Sequence, residues 1–123
     1  MSRESPLVAV VDDEESVRRA LERLLRSAGI ETATFASGGA MLQDLARREP
    51  DCVVLDLHMP GMSGFEVQER LAARDCKIPV VVLTGQDSSE SYERATAGGA
   101  AAYLRKPVDG GELLAAVAAA MNS

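Results

Sequence analysis

The apolar positions of the chain fall into two alternating kinds of segment. Short continuous runs occupy Leu7 to Val11, Ile30 to Phe35, Cys52 to Leu55, Pro79 to Leu83 and Ala100 to Leu104. Each predicts a strand, most of them covered on both faces. Their first residues lie 23, 22, 27 and 21 positions apart, too far for hairpins and enough for a crossover helix. The intervening segments have helical period. Val17, Ala20, Leu21, Leu24, Leu25 and Ala28 form one stripe, which Gly29 closes as a C-cap. Met41, Leu42, Leu45 and Ala46 repeat the pattern weakly. Ser63 and Glu66 have capping-box spacing, which predicts a helix from about Gly64 to Ala73. A fourth helix, from about Ser88 to Ala97, has only Tyr92, Ala95 and Thr96 to pack and is expected to be the least firmly held. Asp109 and Glu112 open a fifth, with Leu113, Leu114, Val117, Ala118 and Met121 as its inner face. Five strands alternating with five helices predict an α/β fold: one doubly wound parallel sheet with helices on both faces and right-handed crossovers.

Composition narrows the function. A chain of 123 residues with 46% hydrophobic content fits one core, so residues 1–123 are expected to form a single domain with no second, output domain. Nineteen acidic against thirteen basic residues leave a net charge of -6, which argues against direct binding to nucleic acid or anionic membrane. The aromatic residues are only Phe35, Phe65, Tyr92 and Tyr103, too few for base stacking or a flavin sandwich. No apolar run approaches the roughly 18–20 residues that span a bilayer, and Met1 to Pro6 lacks signal-peptide character. A cytoplasmic protein is the expectation. Cys52 and Cys76 make neither a disulfide framework nor a zinc site and are expected to be reduced.

In such a fold, ligands bind beyond the carboxyl ends of the strands. Those positions hold Asp12 and Asp13 after the first run, Asp56 after the third, Thr84 after the fourth, and Lys106 with Pro107 after the fifth. Any one alone is an ordinary turn or helix-start residue; together they predict one site of three carboxylates, a hydroxyl and an ammonium. Two carboxylates about 5 Å apart repel by roughly 3 kcal/mol at an effective dielectric near 20, so the trio needs compensating charge. Lys106 supplies one positive charge and a divalent cation two. Oxygen-only ligands favour Mg²⁺. A hard cation among carboxylates also binds phosphoryl oxygens and leaves one carboxylate free to attack phosphorus. Asp56, on the central strand, is the candidate nucleophile, with Pro60, Gly61 and Gly64 expected to leave an open turn above it.

Four motifs carry a family resemblance. They are Val-Val-Asp-Asp-Glu at 10–14, Val-Leu-Asp-Leu-His-Met-Pro-Gly-Met-Ser-Gly at 54–64, Leu-Thr-Gly at 83–85 and Tyr-Leu-Arg-Lys-Pro at 103–107. From Val8 to Met121 the chain resembles the receiver domain of two-component response regulators, most closely the FixJ-type subfamily, whose members usually carry a helix-turn-helix output domain. The resemblance implies a flavodoxin-like, CheY-like sheet in the order 2-1-3-4-5. It implies that Asp56 is the phosphoacceptor, receiving its phosphoryl group from a histidine kinase or phosphotransfer protein. Asp13 and Asp56 would bind Mg²⁺ directly, Asp12 through water, and His58 through its backbone carbonyl. Lys106, preceding a cis bond to Pro107, would pair with the phosphoryl group. Thr84 and Tyr103 would form the switch, and the fourth helix, fifth strand and fifth helix the face used by a homodimer or an output domain.

Other classes fit the same residues less well. An aspartate-nucleophile phosphatase would carry a second Asp two positions after the first, where this chain has His58. A module that never cycles phosphate has no need of Thr84 and Lys106. A flavodoxin-like cofactor carrier lacks its phosphate loop, since Asp12 to Glu15 would repel a nucleotide phosphate.

Overall fold

A computed structural model describes residues 5–74 and 77–122. Cys76 lies outside them. Five strands, β1 (Leu7–Val11), β2 (Glu31–Phe35), β3 (Cys52–Leu55), β4 (Val80–Thr84) and β5 (Ala102–Arg105), alternate with five helices. These are α1 (Glu15–Ser27), α2 (Gly38–Asp44), α3 (Gly64–Ala72), α4 (Ser89–Ala97) and α5 (Gly110–Met121). The strands form one parallel sheet in the order β2-β1-β3-β4-β5, as the resemblance implies.

The continuous apolar runs arise because both faces of the sheet are covered. Alternate side chains along a strand point to opposite faces. Ala9, Val11, Val53, Leu55, Val80 and Val82 enter a core with Met41, Phe65, Val67, Leu71 and Ala95. Val8, Val10, Cys52, Val54, Val81 and Leu83 enter a second core with Leu21, Leu25, Leu113 and Val117. Burial pushes the Cys52 thiol up to about 12.

Two strands start later than the apolar runs predict, for the same reason. At the end of α1, Ile30 N–H donates to Leu25 O and Gly29 N–H to Arg26 O, with Gly29 at φ 80°. This pair of bonds takes the amide of Ile30 for the helix terminus, so β2 begins at Glu31. At the end of α4, Ala100 N–H likewise donates to Ala95 O and Gly99 N–H to Thr96 O. The fifth strand therefore begins at Ala102 rather than Ala100. β4 begins after Pro79, which has no N–H for the ladder.

The helices follow their caps. Ser63 and Glu66 form the reciprocal capping box of α3, and Asp109 accepts the Glu112 N–H at the start of α5. On α5 the buried residues are Leu113, Val117 and Ala120, whereas Ala118 is exposed, so the inner face is rotated from the expected one. Of the expected packing residues on α4, Ala95 is buried as expected, whereas Tyr92 and Thr96 are exposed and Ser91 is buried in their place.

Candidate functional site

Backbone bonds at the carboxyl edge of the sheet fix where the candidate side chains sit. Asp12 N–H donates to Phe35 O, Asp56 N–H to Val11 O and Lys106 N–H to Thr84 O. Each extends a strand ladder by one step, so the three residues are held by the sheet rather than by free loops. Asp12, Asp56 and Thr84 are 2%, 4% and 0% exposed. The peptide bond between Lys106 and Pro107 is cis, as the resemblance implies.

The carboxylates converge. One carboxylate oxygen from each of Asp12, Asp13 and Asp56 lies within 4.8 Å of the others. Lys106 Nζ stands 2.8 Å from Asp12 Oδ2, 3.3 Å from Glu14 Oε1 and 3.7 Å from Asp56 Oδ2. The remaining Asp12 oxygen accepts the Glu14 N–H at 2.9 Å, and Asp56 Oδ1 accepts the His58 N–H at 3.3 Å. Arg18 Nη1 donates to the Asp12 carbonyl at 2.8 Å.

Electrostatics follow from this geometry. Burial raises the Asp56 carboxyl above its ordinary value; Lys106 and the His58 N–H oppose the shift, while Asp12 and Asp13 add to it. For Lys106, burial works against the charged form. The hydrogen bond to Asp12 and the attraction of Asp56, Asp12 and Glu14 outweigh it, so its value is raised. Three aspartates, Asp13 exposed and the other two buried, against one ammonium leave the cluster with a formal charge of -2. Hard oxygen donors at that charge match one divalent cation, which the carboxylates of Asp12, Asp13 and Asp56 would hold. The chemistry of the acidic cluster therefore fits a magnesium-type ion.

The other expected residues are placed as follows. Thr84 Oγ1 accepts the Gln86 N–H at 3.1 Å. Tyr103 donates from its hydroxyl to Asp87 Oδ1 at 2.9 Å, at the protein surface. The His58 imidazole packs edge-on to Phe65, with 6.1 Å between centroids, and among the described residues it does not join the grouped metal-ligand atoms. The expected open turn above Asp56 holds at Gly61, which has φ 77° and open space where a side chain would point, but not at Gly64. A Cβ on Gly64 would collide with the Asp56 carbonyl and Leu57 Cα, because α3 starts directly against the end of β3. Sequence reasoning misses Glu14 as a partner of Lys106. The acidic run at 12–15 contains it, but only the path of the chain into α1, where Glu14 is the N-cap residue, shows which carboxylate faces the lysine.

Comparison with known proteins agrees with this arrangement. The family model of the response regulator receiver domain matches residues 8–118. Nodulation protein W of Bradyrhizobium diazoefficiens is 42% identical over 114 residues, covering 93% of this chain and 50% of that protein. The transcriptional regulatory protein PrrA of Mycobacterium tuberculosis is 40% identical over 118 residues, covering 96% of this chain and 51% of that one. The chain thus spans about half the length of these relatives. A crystal structure of FixJ-N superposes with a TM-score of 0.89 at 30% identity, covering 98% of this chain and 96% of that one. With its motifs, its sheet order and its acidic edge all in agreement, the chain belongs to the response regulator receiver domain family.

Proposed function

We propose that this chain accepts a phosphoryl group on Asp56 and uses it to change the surface around α4, β5 and α5. The observation that supports this most directly is the meeting of Lys106 Nζ with Asp12, Glu14 and Asp56 beside the Asp13 carboxylate. An oxygen of Asp56 attacks phosphorus, the bond from phosphorus to the donor histidine nitrogen breaks, and the histidine leaves with a proton. Water later hydrolyses the acyl phosphate, returning the carboxylate and inorganic phosphate. The chain is thus a regulatory phosphoacceptor that assists its own phosphorylation and dephosphorylation.

Asp13 and Asp56 would hold Mg²⁺ directly, Asp12 through water and His58 through its backbone carbonyl; bound there, the ion would neutralise phosphoryl oxygens. Lys106 trades one carboxylate contact for a phosphoryl oxygen. The Thr84 hydroxyl, completely buried, turns from the Gln86 N–H to another phosphoryl oxygen. Tyr103 then follows into the space Thr84 vacates.

The donor is a histidine kinase or phosphotransfer protein. Residues 1–123 hold the receiver alone, and its state is read by a second receiver or by an output domain outside these residues, in keeping with relatives about twice as long. Regulation of transcription is the output proposed, since one such relative is a transcriptional regulatory protein. No described helix is long and apolar enough to cross a membrane, and action in the cytoplasm fits a kinase-fed module.

The test is phosphorylation of the chain and its Asp56→Asn variant by acetyl phosphate with Mg²⁺, followed by intact mass. The parent gains one hydroxylamine-labile phosphoryl group and the variant none. Equal labelling of both would overturn the assignment.

A further inference from the structure

The two proposed switch residues are tied to adjacent points of one loop. Gln86 N–H donates to Thr84 Oγ1. One residue on, Asp87 accepts the Tyr103 hydroxyl on Oδ1 at 2.9 Å and pairs through Oδ2 with Arg105 at 3.3 Å. The next residue, Ser88, caps α4 by accepting the Ser91 N–H. Tyr92, 52% exposed on α4, stands edge-on to the Tyr103 ring at 5.2 Å. An open cleft of about 420 Å³ lies among Asp87, Ser88, Tyr92, Tyr103 and Arg105. The Tyr103 hydroxyl therefore faces solvent and a carboxylate.

We propose that Asp87 is a positioning residue that latches Tyr103 at the surface and so biases the domain against its phosphorylated form. This rests on the reading of Thr84 and Tyr103 as the switch. If Thr84 turns toward a phosphoryl oxygen, it must release the Gln86 N–H, and Asp87 is covalently next in the chain. If Tyr103 turns inward, its hydroxyl must leave a charged acceptor, and hydrogen bonds to charged groups are roughly twice as strong as neutral ones. Both motions break contacts made by one short stretch of chain. A state that makes these contacts is populated more in the unphosphorylated protein, and removing the acceptor shifts the balance toward the other state. Arg105 shares the carboxylate and keeps it aimed at β5, so Asp87 serves both residues of the strand at once.

The test has two arms on the full chain. The first uses a Tyr92→Phe background, in which Tyr103 is the remaining phenol, and follows its ionisation by ultraviolet absorbance. Burial, the hydrogen bond to Asp87 and its charge hold that phenol above its ordinary value, against the Ser88 N–H and Arg105. Asp87→Ala and Asp87→Asn should lower it, and Asp87→Glu should restore it. The second arm titrates beryllofluoride with Mg²⁺, a phosphoryl mimic, while amide resonances of β5 are recorded. Asp87→Ala should bind about fivefold tighter, equivalent to about 1 kcal/mol of coupling. Tyr103→Phe should gain the same factor, and the double variant should gain no more than either single one.

An unmoved Tyr103 ionisation overturns the latch, as does additivity of the two substitutions or unchanged or weaker mimic binding by Asp87→Ala. A parent chain that ignores beryllofluoride, even with Asp56 intact, overturns the phosphoacceptor reading and the bias built on it. The ionisation arm then still decides the contact itself, so the two failures are distinguishable.

Discussion

α3 and α4 have the same length, nine residues each, and the core beneath the same sheet face takes side chains from both, yet they are held in different ways. α3 buries Phe65, Val67 and Leu71 and opens with a complete capping box. α4 buries only Ser91 and Ala95 and presents Tyr92 to solvent. What fixes α4 is polar: Asp87 grips Tyr103 and Arg105 near its start, and near its end Gln68 of α3, 3% exposed, donates from Nε2 to Ala95 O at 2.9 Å. Apolar burial is non-directional and is lost only by separating surfaces, whereas a hydrogen bond can be exchanged for another at small net cost. The difference teaches that one helix is held under the acidic edge mainly by apolar burial while its neighbour relies more on exchangeable polar contacts.

The contrast can be broken most severely at Gly64. Gly64→Ala drives a methyl into the backbone of Asp56 and Leu57 and should cost more than about 3 kcal/mol, measured by denaturant unfolding. Leu71→Ala should cost about 2–4 kcal/mol by the same measurement, since it opens a cavity under α3. A loss below about 1 kcal/mol there would place α3 on the same footing as α4.

Asp56→Asn sharpens the comparison from the side of the site. The folded-state value of Asp56 is raised, so its protonated form stabilises the fold at low pH, and that contribution is lost as pH rises through the folded-state value. Without divalent ions the variant should therefore be more stable than the parent at pH 7, with a smaller gap near pH 4. Unfolding at the two pH values, with and without Mg²⁺, checks this, and the ion should narrow the gap. The smallest effect belongs to the surface of α4: Tyr92→Ala should change stability by about 0.5 kcal/mol or less.

Much of this architecture is legible in the order of apolar runs, because two-sided coverage of a parallel sheet leaves continuous stretches such as Val80 to Leu83. Acidic and basic residues at strand ends likewise bring Asp12, Asp13, Asp56 and Lys106 into view, since topology alone assembles them. Sequence reasoning errs where three-dimensional paths decide. Ile30 and Ala100 belong by hydropathy to strands, but helix termini claim their amides. Ala118 and Ala120 are chemically identical, so composition cannot choose between them on α5. Gly64 signals a turn in sequence, yet its role is to let two backbones touch. The partnerships of Glu14 with Lys106 and of Asp87 with Tyr103 join residues 92 and 16 positions apart, and no periodicity reports them.

The ammonium of Lys106 is already surrounded by oxygen acceptors from three residues. These contacts set the direction of the cation in advance, while the carboxylates around it outnumber it and leave the cluster net negative. The aim of the ammonium is consequently a property of the resting protein, prepared before any reaction partner arrives.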